Sequence, residues 1–581
     1  MWGEPQEKIE EIEGPELGKF SPRQEAKRLF NFLKQGSTLE TLATRAIPFG
    51  HSGLEGWRGY RLVPVTWSDI RKQQTAEYLY QLRHGANFPG DSGITVSGTA
   101  TWMREHVLNI QDRILFIVVD PNGMNVGHLG LWFRDEFTLE LDNVVKDSRN
   151  SVKGIMSEAT RALGRWVNEF IGVEDLSLRV NPKDLHAVLF YENLGFEASA
   201  VDSEWITMRV ELGPWFPDLE NLLTAGPSIG PLEASLVGEA IRTGWNNHHS
   251  DFLNSFGSVF GSYEQAEFVI ATDSCTSALH LSLWALGIGP GDEVIVPDIT
   301  WVATAAAVRY VGATPIFADI DPETWCITAE TIREKITAST RAVIPVHLYG
   351  FVAEVDKIAT VCEEFGIHMV QDAAPGIGTT IGGQSITNWG EVSCFSFQGA
   401  KLLVSGEGGA FVTRNPELYQ KALKISDSGR VPGTFWIDQL GKKMKMSNPS
   451  AALALGQVFG VERQINKKRQ IAAWYRGFLG QNESLNFQKE LPRTRSIHWL
   501  TSIQILNKEI EREKFRADLL KSGIDSRPVF PPISQYPIWA GKHPANRNAI
   551  ALGESAINLP SGVRLTMADV ERVCNSINEL T

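Results

Sequence analysis

FVIATDSCTSALHLSLWALGIGPGDEVIVPDITWVATAAAV, residues 268–308, carries the alternation that decides the fold. FVIATDS and EVIVPDI are short, nearly continuous apolar runs of strand length. The segments after each of them, opening at Thr276 and at Ala303, have helical composition and spacing. The beat continues outward. TPIFADI (314–320), a helix from Thr328, RAVIPVHL (341–348), a helix from Val355 and HMVQDAA (368–374) follow in turn. Apolar strands separated by helices predict a mostly parallel sheet covered on both faces, the α/β class. From about residue 433 the pattern turns helical and then mixed, which predicts a smaller C-terminal subdomain.

Upstream the rhythm differs. ILFIVVD (114–120) reads as a buried strand, and the turn PNGMN leads to a second strand, VGHLGLWF (126–133). FTLELDNVV (137–145) alternates apolar and polar residues, IMSEATRALGRWVNEFI (155–171) has helical spacing, DLSLRV (175–180) is a strand, HAVLFYENLGF (186–196) a short helix, and TMRVEL (207–212) a closing strand. The division expected is a polar extension at 1–50 with one helical patch at 22–35, an α/β domain at 51–213, a linker at 214–225 rich in Pro and Gly, and a large domain at 226–581.

A chain of 581 residues exceeds one hydrophobic core. The net charge of −13 argues against nucleic acid or an anionic membrane as partner. Five scattered cysteines without a C-x-x-C pair argue against a disulfide framework or a zinc site. The first sixteen residues are acidic and lack an apolar core, so no secretory leader is expected; no apolar run is long enough to span a bilayer, and the expected location is cytoplasmic.

In open α/β sheets ligands sit at the C-terminal ends of strands. Three groups fall there. Ser274 to Ser277 place small hydroxyl residues on a turn opening a helix, which is either an anion site or a plain N-cap. Asp372 ends HMVQD and is either a partner for a protonated ring nitrogen or a structural cap. CFSFQGAKLLVSGEGGAFV (394–412) sets Ser396 and Lys401 in a small-residue turn between two strands, where burial would lower the lysine pKa and make it an imine-forming amine.

With GPSIGPLEASLVGEAIRTGW (226–245), residues 274–308, GATPIFADIDPETW (312–325), AVIPVHLYG (342–350), QDAAPGIG (371–378), residues 395–413 and KMKMSNPSAALALGQ (443–457), the large domain resembles the DegT/DnrJ/EryC1/StrS family of sugar aminotransferases along its whole length. The resemblance implies a fold type I architecture binding pyridoxal 5'-phosphate (PLP), a mostly parallel sheet sandwiched by helices. It implies Lys401 as the Schiff-base lysine and proton carrier, Asp372 on the pyridine nitrogen, Trp301 stacked on the ring, and Thr276, Ser277 and Ser396 on the phosphate. A core role is the alternative for Trp301. His347 and Tyr349 fall near the sugar site, with packing the alternative for both. A histidine replaces the lysine in family members that catalyse dehydration; Lys401 argues against that chemistry. Pro375 stands where the family has His, Gln or Glu, and it can donate no hydrogen bond. GKKMKMSN (441–448) and SRPVFPPISQYP (526–537) are similar to the GDP-perosamine synthase subset, in which Lys443 would reach the neighbouring subunit's PLP phosphate. A homodimer and a GDP-linked 4-keto-6-deoxyhexose follow as expectations.

LELDNVVKDSRNSVKGIMSEATRAL (139–163) and NPKDLHAVLFYENLGF (181–196) resemble GNAT-type N-acyltransferases. The turn containing Arg149, Ser151, Lys153 and Gly154 opens a helix whose free N–H groups can cradle the pyrophosphate of acetyl-CoA, with Asn181 in the following motif. The resemblance makes Tyr191 the proton donor to the leaving thiolate. Glu140 and Asp142 either handle the amine's proton or form a solvated strand face, and His186 reads as packing or surface.

The combined expectation is a bifunctional enzyme. A nucleotide-linked keto sugar and L-glutamate give an amino sugar, which the N-terminal domain acetylates. Two alternatives stand beside it: an aminotransferase with a degenerate GNAT domain serving as a binding module, and a keto-inositol aminotransferase.

Overall fold

The structure is a computed structural model. It describes residues 47–49, 60–65, 74–85, 95–211 and 222–581, except 121, 123, 136–137, 147–154, 172, 174, 193, 202–203, 227, 432 and 540–544, together with Arg23 and Lys27. Most of the expected 1–50 extension therefore lies outside the described residues. Arg23, from its helical patch, donates through Nε to Asp112 Oδ2 at 2.8 Å.

The N-terminal sheet contains β1 (Ile47–Phe49), β2 (Tyr60–Pro64), β3 (Arg113–Val119), β4 (Asn125–Phe133), β5 (Leu139–Lys146), β6 (Asp175–Val180), β7 (Glu197–Val201) and β8 (Ile206–Glu211). Their spatial order is β1-β2-β3-β4-β5-β6-β8-β7. β3 shows why the sheet has helices on both sides. All seven of its residues are buried. Alternate side chains face opposite ways, so Ile114, Phe116 and Val118 join the core that includes the helix Ile155–Ile171. Leu115, Ile117 and Val119 pack with Ala76, Leu79 and Met103 from the helices Gln74–Gly85 and Val96–Met103. Phe116 meets Trp166 edge-on at 5.9 Å. β5 and β6 run parallel and share one register pair, Glu140 with Ser177.

The second sheet contains β9 (Phe268–Thr272), β10 (Glu293–Pro297), β11 (Thr314–Ala318), β12 (Thr340–Val343) and β13 (His368–Asp372). After the two-residue strands β14 (Thr380–Ile381) and β15 (Gln384–Ser385) it gains β16 (Val392–Ser396) and β17 (Gly409–Thr413). Its order is β11-β10-β12-β13-β16-β17-β9. Neighbours from β11 to β16 pair in parallel, and β17 runs antiparallel to both β16 and β9. The mixed α/β architecture is thus as expected, with two local differences. β12 stops at Val343, short of Pro345, which has no N–H for the ladder. The helix after Thr328 is only Ala329–Arg333.

β18 (Leu485–Phe487) and β19 (Thr494–Arg495) follow; β19 joins β14 and β15 in a small sheet of order β15-β14-β19, while β18 combines with β20 (Ser502–Ile505), β21 (Arg527–Pro528) and β22 (Ala556–Asn558) in a four-stranded sheet of order β18-β20-β22-β21. It packs with the helices Val461–Leu479, Arg512–Lys521 and Met567–Leu580 as the smaller subdomain. Residues 222–225, read from sequence as the end of a linker, are built into this subdomain. Leu222 N–H donates to Gly523 O at 3.1 Å, Asp525 N–H donates to Leu222 O at 3.0 Å, and Thr224 N–H donates to Asp525 Oδ2 at 3.0 Å. No described helix is long and apolar enough to cross a membrane.

Candidate active sites

Four strand ends converge in the large domain. At the end of β9, Ser274 caps the helix Cys275–Leu286, its Oγ accepting from Ser277 N–H at 3.1 Å. The helix therefore presents its opening N–H groups and positive dipole end beside the sheet. Gly409, at the start of β17, makes that approach possible: a Cβ there would lie 2.4 Å from Cys275 N. Thr276 is partly exposed at this opening turn and Ser277 is buried.

At the end of β13 Asp372 is buried. One carboxylate oxygen accepts from Thr304 Oγ at 2.7 Å and the other from Ala374 N–H at 3.1 Å. Burial pushes its pKa above the usual carboxylate range, against the pull of Thr304, Ala374 and nearby Lys401. A buried carboxylate held at both oxygens is set to complement a cation. Cys275 Sγ lies 4.0 Å from it.

At the end of β16, Phe395 and Phe397 turn inward against Phe256 and Phe260 of the helix Asp251–Tyr263, with ring centroids 5.1–5.3 Å apart. Period-two alternation then sets Ser396 on the opposite face, buried, where its Oγ accepts from Gln398 N–H at 3.4 Å. Lys401 follows in the β16–β17 turn. Burial lowers its pKa to about 8, while Asp372 and Cys275 favour the charged form.

At the end of β10 Asp298 accepts from Ser534 N–H, Ser534 Oγ and Asn546 Nδ2, each at 2.7 Å. It pins the 526–537 segment, including Phe530, over the site.

The structure brings Asp372 and Lys401 into one charged cluster beside Ser274 to Ser277 and Ser396. Trp301 stands 60% exposed next to Phe530, with ring centroids at 5.9 Å. It is not a core residue of this chain, so the packing alternative falls away. His347 does not face an open site. It is fully buried, its Nδ1 accepts from Ala353 N–H at 3.3 Å, and its Nε2 lies 3.0 Å from Gln371 Oε1. The network puts the proton on Nε2, and burial lowers the ring's pKa to about 4. Of the two readings, packing describes His347. Tyr349 is also fully buried; its hydroxyl accepts from Phe530 N–H at 3.2 Å and its ring stacks on Phe530 and Trp499. It supports the wall of the site. Lys443 is exposed and pairs at 3.6 Å with Asp427 of its own chain.

Sequence reasoning missed Thr304, Asp298 and Trp499. Thr304 and Trp499 gave no local signal, since each acts across a long sequence separation. Asp298 ends β10 much as Asp372 ends β13, and that parallel was a usable clue.

The donor set fits PLP. A buried carboxylate suits the pyridinium nitrogen, a helix N-terminus with capping hydroxyls suits a phosphate, and a lysine near neutral pKa suits an aldehyde.

In the N-terminal domain Tyr191 sits on the helix Leu185–Glu192, partly buried, with its ring against Phe190 at 5.1 Å and Phe196 at 5.7 Å. Burial, then the charges of Asp184 and Asp142, push its pKa well above the usual phenol value. Tyr191 therefore keeps its proton, as a donor must. Asn181 is exposed, and its Oδ1 accepts from Lys183 N–H at 2.9 Å, so it shapes the turn into that helix. Glu140 and Asp142 form no solvated strand face. Arg134 grips Glu140 at 2.6 and 2.7 Å, and Arg113 Nε donates to Asp142 at 2.8 Å. His186 is at the surface. Arg149, Ser151, Lys153 and Gly154 lie outside the described residues.

Comparison with known proteins matches residues 61–197 to the acetyltransferase (GNAT) domain and residues 227–578 to the DegT/DnrJ/EryC1/StrS aminotransferase family. The chain is similar to GDP-perosamine synthase of Escherichia coli O157:H7, 35% identical over 354 residues, covering 61% of this chain and 96% of that protein. GDP-perosamine synthase of Vibrio cholerae is 35% identical over 358 residues, covering 60% and 96%. Among solved structures, the aminotransferase TlmJ of Streptoalloteichus hindustanus superposes with a TM-score of 0.58 at 27% identity, covering 62% of this chain and 98% of that one. The 3-amino-5-hydroxybenzoic acid synthase structure gives 0.58 at 25%, covering 61% and 97%. Enzymes of this aminotransferase family use PLP, and GNAT domains use acetyl-CoA. A matched span of more than half the chain, laid over a sheet whose strand ends gather this donor set, makes the protein a member of the DegT/DnrJ/EryC1/StrS family of PLP-dependent sugar aminotransferases, preceded in the same polypeptide by a GNAT acetyltransferase domain.

Proposed function

We propose that the chain aminates a nucleotide-linked 4-keto-6-deoxy sugar with L-glutamate as donor and then acetylates the new amine from acetyl-CoA. The observation that carries the reading is the cluster of half-buried Lys401 and buried Asp372, in which desolvation lowers the lysine pKa to about 8 beside a carboxylate tied at both oxygens. Bound PLP supplies an electron sink for the carbanion formed when the donor's Cα loses its proton. Lys401 is the group that takes that proton and returns it, since close to neutral pH its amine is populated in both protonation states. Asp372, oriented by Thr304 and Ala374, would hold the proton of the ring nitrogen by charge. Ser277 and Ser396, with the Cys275 helix opening and Thr276, would hold the phosphate; Trp301 would cover the ring. GDP as nucleotide is supported by the two relatives named GDP-perosamine synthase and by the 441–448 and 526–537 runs. The exposed Lys443 leaves room for its expected reach into a second subunit of a homodimer.

In the GNAT domain the sugar amine attacks the thioester carbon, the C–N bond forms, the C–S bond breaks, and Tyr191 gives its proton to the departing sulfur. Glu140 and Asp142 are engaged with arginines, so the excess proton on the nitrogen leaves to solvent.

The test uses the full chain with GDP-4-keto-6-deoxymannose, PLP, L-glutamate and acetyl-CoA, with nucleotides resolved by anion exchange. The amino sugar nucleotide and its acetylated form are expected. Absence of amination with GDP-, UDP- and dTDP-linked 4-keto sugars alike would remove the substrate class.

A further inference from the structure

Trp499 is nearly buried, and four separate contacts fix it around Lys401. Its ring lies under the lysine, with Nζ 3.8 Å from the centroid. Its Nε1–H donates to Ala400 O at 2.9 Å, the carbonyl just before Lys401. Its own carbonyl accepts from Lys468 Nζ at 2.9 Å, and that buried amine also donates to Ser561 O. Its ring also stacks with that of Tyr349, centroids 6.2 Å apart.

The backbone around Trp499 is also built to order. Ile497 N–H donates to Gly350 O at 2.8 Å and Leu500 N–H donates to Tyr349 O at 3.3 Å. Tyr349 and Gly350 are both left-handed, at φ 54° and 91°. A Cβ at Gly350 would come within 2.6 Å of Trp499 N. Only glycine allows this approach, and the tyrosine beside it is held in a costly conformation. Strain of this kind persists where the surroundings enforce a position.

We propose that Trp499 is a positioning residue for Lys401, its indole face being the rest position of the ε-ammonium whenever the lysine is free of the cofactor, and its N–H tying the lysine's own loop to that face. The inference rests on Lys401 as the PLP lysine. A transaminating lysine is released and recaptured in each half-reaction, and a free lysine side chain has many rotamers to search. A π face at 3.8 Å limits that search and favours the charged form, against the burial that disfavours it.

The test is competitive acylation of Lys401 across pH in the full chain stripped of PLP, read by mass spectrometry of the Lys401 peptide, for wild type, Trp499→Leu and Trp499→Phe. Wild type is expected to titrate near pH 8. Trp499→Leu is expected to titrate about half to one pH unit lower. Trp499→Phe, which keeps a π face and loses the N–H, should stay near wild type in titration while capturing PLP several-fold more slowly, as read by borohydride fixation. An unmoved titration in folded Trp499→Leu overturns the proposal. Should that variant not fold, an unchanged capture rate in Trp499→Phe overturns it. Mapping the borohydride-fixed PLP separates the two levels: PLP on another lysine removes the Lys401 assignment itself, whereas PLP on Lys401 with unmoved variants removes only the role of Trp499.

Discussion

The two catalytic regions of this chain are assembled in opposite ways. The acetyltransferase residues come from one stretch, from β5 at Leu139 to Phe196 behind the Tyr191 ring. The aminotransferase residues run from Ser274 to Ser561 and meet only because the sheet order, β13-β16-β17-β9, places distant strand ends together. Their electrostatics differ as well. In the first region the carboxylates are neutralised by arginine partners, and the group with a displaced pKa is a tyrosine that holds its proton. In the second, a buried carboxylate and a half-buried lysine share one cluster, and the pKa of each is moved toward its neutral form. A single proton delivered to a leaving sulfur needs one donor. A covalently held cofactor needs a charged pocket whose every member is anchored by something else.

The sharpest way to break this contrast is to remove the group at its centre. Lys401→Ala should lower transamination by on the order of 10^4-fold, the upper range for a positioned proton carrier, and abolish borohydride-fixed PLP, while acetylation of supplied amino sugar continues. Retained turnover would dismantle the assignment. Tyr191→Phe should do the reverse. Acetyl transfer is expected to fall about 10^2-fold with transamination untouched, measured by thiol release and by glutamate-dependent product separately. Equal acetylation rates would show that the sulfur receives its proton from elsewhere.

Smaller effects probe the anchoring. Asp298→Ala leaves Ser534 N–H and Asn546 Nδ2 without their buried acceptor and should cost about 2 kcal/mol, seen as a lower denaturation midpoint. Because the 526–537 segment loosens, KM for the sugar nucleotide should rise more than kcat falls. The smallest expected effect concerns His347. Its folded pKa, near 4, lies below the usual 6.5, so between those values the unfolded chain binds more protons and stability falls on acidification. Wild type should lose about 1 kcal/mol more than His347→Gln between about pH 6 and pH 5 in denaturant melts. Parallel losses would place the ring in solvent.

The same contrast explains what sequence made legible. Strand ends announce themselves through composition, so Ser274, Asp372, Ser396 and Lys401 were readable as strand-end groups, while their roles and that of Tyr191 came from the family resemblances. His347 stood beside Tyr349 in VHLYG with no local sign that its ring would be enclosed between Ala353 and Gln371. Thr304, Trp499 and Lys468 act through contacts made by chain segments far apart in sequence, which no spacing rule encodes. The 222–225 stretch has linker composition and yet pairs with Gly523 and Asp525, because a backbone bridge depends on its partner as much as on its own residues.

If one polypeptide performs both steps on one sugar, both transferred groups end on the same molecule. The direct measurement is mass spectrometry of the sugar nucleotide formed from nitrogen-15 glutamate and carbon-13 acetyl-CoA by the purified chain. Both labels are expected to enter the same molecule, with the nitrogen-labelled amine appearing first. A product that carries nitrogen-15 and never carbon-13 would contradict it, leaving an aminotransferase whose GNAT domain serves another end.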